Sequence, residues 1–136
     1  MEVELRDLLY QAVWDFAQEE SIPAAFPNES FIPGNRELYI EAATIPTSPE
    51  VLTVKSGGSR YTWLCQISIY VRDDNGEILP LAVADKIRVA FPVTRKLTGA
   101  NHVFTVVTPP APVPPVDSQR DGWFLIPVRF RVQTIH

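Results

Sequence analysis

The chain has 136 residues, 12 basic and 16 acidic, a formal net charge of −4, 46% hydrophobic residues and a single cysteine. A chain this long buries roughly two-thirds of its unfolded surface as one domain, residues 1–136, and needs no covalent staple. One cysteine excludes an internal disulfide and a cysteine-clustered zinc site, the acidic balance argues against binding phosphate backbones, and no apolar run approaches the ~20 residues of a membrane span. Met1-Glu2-Val3-Glu4 lacks the basic-then-apolar pattern of a signal peptide, so the expectation is a soluble protein made in the cytoplasm.

Residues 2–20 predict an amphipathic helix. Val3, Leu5, Leu8, Leu9, Ala12, Val13, Phe16 and Ala17 recur at helical spacing, and Glu2 and Glu4 suit the positive end of the helix dipole. Ser21 to Pro23 stops it. Residues 24–36 read as a loop with turn signals at Pro27-Asn28 and Pro33-Gly34-Asn35. Strands follow at Glu37 to Ile45 and Val51 to Val54. Lys55-Ser56-Gly57-Gly58-Ser59-Arg60 then forms the basic, glycine-rich tip of a projecting hairpin.

Tyr61 to Arg72 is the clearest strand. Tyr61, Trp63, Cys65, Ile67, Ile69 and Val71 face the core, and Thr62, Leu64, Gln66, Ser68, Tyr70 and Arg72 face outward. After a turn at Asp73 to Gly76, residues 77–91 form a second helix, with Leu79, Val83, Ala84, Ile87, Ala90 and Phe91 inward. Pro80 sits in its first turn and Pro92 closes it. A strand at 102–108 leads into Pro109-Pro110-Ala111-Pro112-Val113-Pro114-Pro115, a stiff, donor-poor loop that packs on its own domain or a neighbour. The last strand, 123–133, turns Phe124, Ile126, Val128, Phe130 and Val132 inward, and Trp123, Leu125, Pro127, Arg129 and Arg131 outward. Pro127 donates no ladder bond and marks an edge or a bulge. Two apolar helix faces need one sheet face to cover. The expected fold is α+β: a two-layer sandwich of a mostly antiparallel sheet with both helices on one face and a projecting β-hairpin.

Residue-level chemistry is sparse. Cys65 sits on an apolar strand face, where a thiol packs as a small hydrophobe. His102 and His136 have no partner at ligand spacing. Asp73-Asp74-Asn75-Gly76-Glu77 lacks the length of a calcium loop, and Ser56-Gly57-Gly58-Ser59 lacks the strand-to-helix context of a phosphate loop. No catalytic residue, cofactor or metal ligand is assigned, and the reading is not an enzyme. The mixed apolar and arginine surface of the outer sheet face suggests a protein interface instead.

The order of several segments carries a family resemblance. They are the helix Leu5 to Phe16, Glu20-Ser21-Ile22-Pro23, Phe31-Ile32-Pro33, Leu38-Tyr39-Ile40-Glu41, Ile45-Pro46, Gly58 to Trp63, Gln66 to Val71, Ala82 to Phe91 with Pro92, Pro109-Pro110, and Asp121-Gly122-Trp123. In this order the chain resembles the tail terminator family of long-tailed bacteriophages, the minor tail protein U-like group.

The resemblance implies a structural subunit that forms a homo-oligomer, a hexameric ring, on the head-proximal end of the virion tail. There it ends tube polymerisation and offers the head-joining surface. Implied partners are the tail tube protein and the head–tail connector protein, with DNA only passing through the lumen, no membrane, and assembly in the bacterial host cytoplasm. A head–tail joining or tail-completion protein of similar fold is the alternative, and a small hydrolase a remote one. The family offers no strict residue motif. The expected subunit contacts are therefore Lys55, Ser56, Gly57, Gly58, Ser59 and Arg60 at the hairpin tip, and Trp123, Leu125, Arg129 and Arg131 on the outer face.

Overall fold

The computed structural model describes residues 2–26, 38–46, 60–72, 78–114, 116–117 and 122–135. Helix α1, Glu2–Glu20, buries Leu5, Leu9, Ala12, Val13, Phe16 and Ala17 along one stripe. Val3 departs from expectation: it lines up with exposed Asp7 and Trp14 and not with the buried stripe, and it is 61% exposed. The helix ends in a Schellman motif. Ser21 N–H donates to Gln18 O, Ile22 N–H donates to Ala17 O at 2.8 Å, and Ser21 takes a left-handed φ of 56°. Ile22 then packs on the core and Pro23 forbids a further turn.

Among the described residues, eight strands form one mostly antiparallel sheet: β1 Ala24–Ala25, β2 Leu38–Pro46, β3 Arg60–Arg72, β4 Lys96–Thr98, β5 Val103–Val106, β6 Ala111–Pro112, β7 Val116–Asp117 and β8 Trp123–Ile135. The order is β1-β2-β3-β8-β5-β4, with β6 and β7 also pairing with β8. β3 and β8 pair over their whole length, from Arg60 opposite Ile135 to Arg72 opposite Trp123. β1 is the parallel exception, set beside Ile40 and Glu41 in what reads from sequence as pure loop.

Helix α2, Ile78–Ala90, carries Pro80 in its first turn as expected. Val83, Ala84 and Ile87 of α2 join the α1 stripe in one cluster with Ile40, Trp63, Cys65, Ile67, Ile69, Phe104, Val128, Phe130 and Val132. All these strand residues share one sheet face, so the period-two pattern of β3 and most of β8 holds. Arg95 finishes α2: its guanidinium donates to Ala90 O at 2.5 Å and lies over the Phe91 ring.

The proline segment packs on its own domain, as expected, and does so partly as strand rather than as loop. β5, β6 and β7 run in succession along the far side of β8. Pro110 is buried and its carbonyl accepts from Arg88 Nε at 3.3 Å. β8 is therefore an interior strand, and its register against β3 carries no bulge. Pro127 fits there because a strand residue points its N and O to the same side. Its carbonyl accepts from Val113 N–H, so the missing donor faces the proline segment and costs the β3 ladder nothing. The expected strand Val51 to Val54, the tip residues Lys55 to Ser59, the turns at 27–28, 33–35 and 73–76, and His136 lie outside the described residues. Among those described, no helix is long and apolar enough to cross a membrane.

Candidate subunit interface

The face of the sheet turned away from the helices is the surface to which sequence reasoning assigns contacts. Pairing fixes its composition. Tyr39, Glu41, Ala43 and Ile45 from β2 stand beside Tyr70, Ser68, Gln66 and Leu64 from β3, and these stand beside Leu125, Pro127, Arg129 and Arg131 from β8. Thr62 with Gln133 and Arg60 with Ile135 extend the same face at one end.

The two ends of this face differ. At one end Tyr39 stacks on Tyr70 with ring centroids 4.6 Å apart and meets Trp123 edge-on at 5.0 Å. Arg72 lies over the Trp123 ring at 4.2 Å. Ala25 completes this second, smaller core. Trp123 therefore has the expected facing but is buried, 4% exposed, as part of an aromatic cluster. Phe124 is the corresponding correction: alternation puts it inward, yet it is 41% exposed at the sheet's end. Adjacent Gly122 has a φ of +82°, the left-handed backbone that lets the chain turn into β8.

The other end is open. Arg129 and Arg131 are exposed, with Gln66 and Leu64 half-buried beside them, Thr62 and Gln133 half-buried next along the face, and Ile135 exposed beyond. Arg129 is oriented by Gln66, whose Oε1 accepts from its Nε at 2.9 Å and whose Nε2 donates to Ser68 Oγ. The Arg131 backbone is tied down, its N–H donating to Thr108 Oγ1 at 2.7 Å and its carbonyl accepting from Val107 N–H. Two cations thus stand on a rigid strand with their side chains in solvent. Leu125 lies half-buried between the aromatic end and the arginines, and Arg60 is half-buried at the far margin. Tip residues Lys55, Ser56, Gly57, Gly58 and Ser59 lie outside the described residues.

No bond-making constellation accompanies this surface among the described residues. Cys65 is fully buried, and desolvation pushes its thiol up to about 12. His102 sits against Glu4, a contact with no counterpart in local sequence. No group of three or more His, Cys, Asp or Glu side chains converges among the described residues.

The molecule is by class an α+β protein, two helices with one mostly antiparallel sheet among the described residues. It belongs to the phage tail terminator protein family, whose pattern matches residues 4–131. The chain is accordingly a structural protein of the phage tail, a component of the virion, and works among other tail or head proteins. One solved protein structure superposes over all of this chain and 96% of its own, with a TM-score of 0.76 and 18% identity, which speaks to the fold alone. No curated protein sequence matches the chain.

Proposed function

We propose that this protein is a single two-layer α+β unit that assembles into a ring, a hexamer, on the head-proximal end of the tail tube. The ring ends tube polymerisation and supplies the surface to which the head connector joins, while DNA passes through its lumen. The observation that carries this reading is the family match over nearly the whole chain, residues 4–131. The open arginine-bearing sheet face supports it, because a ring is built from one patch meeting a different patch on the next copy. The proposed contact residues are Lys55, Ser56, Gly57, Gly58, Ser59 and Arg60 at the tip, and Leu125, Arg129 and Arg131 on the face, with Trp123 in the aromatic cluster at the other end of that face. Assembly takes place in the host cytoplasm before the tail joins the head.

Native mass spectrometry and light scattering test the ring, and a tube-elongation assay tests the capping. The expected results are a closed oligomer, and tubes that stop growing once the protein is added. A chain that remains monomeric at every concentration and on purified tubes excludes the reading. Arg60→Glu is expected to weaken assembly while the monomer still melts cooperatively. Unchanged assembly removes Arg60 from the interface.

A further inference from the structure

The outward side of α1 is as distinctive as the open sheet face, and opposite in sign. Asp7 and Asp15 are exposed there beside Gln11 and Gln18, on the side away from the buried stripe. Asp15 accepts a hydrogen bond from Gln11 at 3.0 Å, and Glu20 alone of the helix's acids is neutralised by a lysine, Lys86 at 3.2 Å. Among these carboxylates stands Trp14, 45% exposed, its ring 6.1 Å from that of Phe26. On the reverse of the molecule the open sheet end carries Arg129, Arg131 and Arg60 around Leu64, with Glu41 as the one acid on that face among the described residues.

We infer that the outward stripe of α1, centred on Trp14, docks on the open end of the outer sheet face of a second copy of this chain, with its carboxylates against Arg129 and Arg131. This rests on the ring reading above and names the two surfaces that meet. The dimensions agree. From Val3 to Gln18 the helix runs about 22 Å, and from Pro127 to Ile135 the strand runs about 26 Å. A helix laid on a bare sheet face is ordinary layer packing. Tryptophan and arginine are the side chains that dominate contact energies, and a guanidinium over an indole adds a cation–π term. The two surfaces lie on opposite sides of one subunit, so the contact is heterologous and propagates from copy to copy.

Charge reversal in two chains tests the pairing. One chain carries Asp7→Lys and Asp15→Lys, and the other carries Arg129→Glu and Arg131→Glu. All four positions are exposed, so circular dichroism melts should match the wild type. Sedimentation velocity should show self-association of each variant weakened about tenfold or more, because like charges then meet. An equimolar mixture should regain association in alternating order, since each reversed surface then meets an opposite one. Trp14→Ala should weaken association of the otherwise unaltered chain. If the wild type assembles and both variants assemble equally well, or if the mixture stays dissociated, the pairing of these faces is overturned and the ring reading stands. If the wild type never assembles, the ring reading fails and the pairing falls with it.

Discussion

Glu4 and His102, 98 positions apart in the chain, meet with Glu4 Oε2 2.6 Å from His102 Nδ1. Glu4 Oε1 also accepts from the backbone N–H groups of Asn101 at 2.9 Å and His102 at 3.2 Å. One carboxylate thus ties the first turn of α1 to the β4–β5 turn. The imidazole donates through Nδ1, because an ionised carboxylate can only accept. The acid that composition assigns to the helix dipole is used for tertiary closure instead.

The Asn101 N–H and the His102 side chain hold the Glu4 carboxyl below its ordinary value of 4.5. A depressed folded-state value means the stabilisation is complete above the unfolded value and is lost as pH falls through the folded one. Wild type should therefore melt above Glu4→Gln at pH 7, and the gap should close as the pH drops below about 4. A gap independent of pH would refute the ionic clamp. Gly99→Ala gives a second check, since a Cβ there collides with the Glu4 carboxylate. It should lower the melting temperature in wild type and cost much less in a Glu4→Ala background, as coupled neighbours do.

Ser21 holds the left-handed position of the Schellman motif that ends α1. That conformation is strained for a residue with a Cβ and free of strain for glycine. Ser21→Gly should stabilise the fold by about 1 kcal/mol, measured by urea unfolding, with no change in helix content. Destabilisation would show that the Ser21 side chain contributes more than the strain it bears.

Phe130 is buried in the centre of the core and stacks on Phe91 with centroids 5.3 Å apart. Phe130→Ala should cost about 3–5 kcal/mol by denaturant unfolding. Phe124→Ala, on the same strand but largely exposed, should cost less than about 1 kcal/mol. Similar losses at both positions would mean that the end of β8 is packed differently.

The Cys65 thiol, pushed up to about 12 by burial, is neutral in the folded state at any ordinary pH. Alkylation at pH 8 should be slower in the folded protein than in the denatured chain by about a thousandfold, from the lost thiolate fraction alone. Because the raised value favours the neutral form, stability should be intact below the free thiol's value and decline as the pH climbs from about 9 toward 12. Rapid labelling of the native protein would show that Cys65 is not packed as a buried hydrophobe.

Both helices, the two long strands and the inward face of β3 are legible in sequence because each is written in local periodicity. The proposed contact arginines share that legibility, since alternation along β8 puts Arg129 and Arg131 on one side. The short strands β1, β4, β6 and β7 are not, since two or three residues hold no period and they exist only because a longer strand lies alongside. Trp123 and Phe124 exchange their expected exposures for the same reason. Alternation gives the direction of a side chain, but Tyr39 and Tyr70, brought over from other strands, decide what buries it.

The chain's own pattern determined that two amphipathic helices would be combined with a mostly antiparallel sheet, and which side of β3 would turn to the core. Only tertiary structure decided that the proline run would lie along β8, that Glu4 would close on His102, and that the outer face would be sealed at one end and open at the other. Periodicity is a property of neighbours a few residues apart, whereas closure and exposure depend on groups that meet only after the chain has returned on itself.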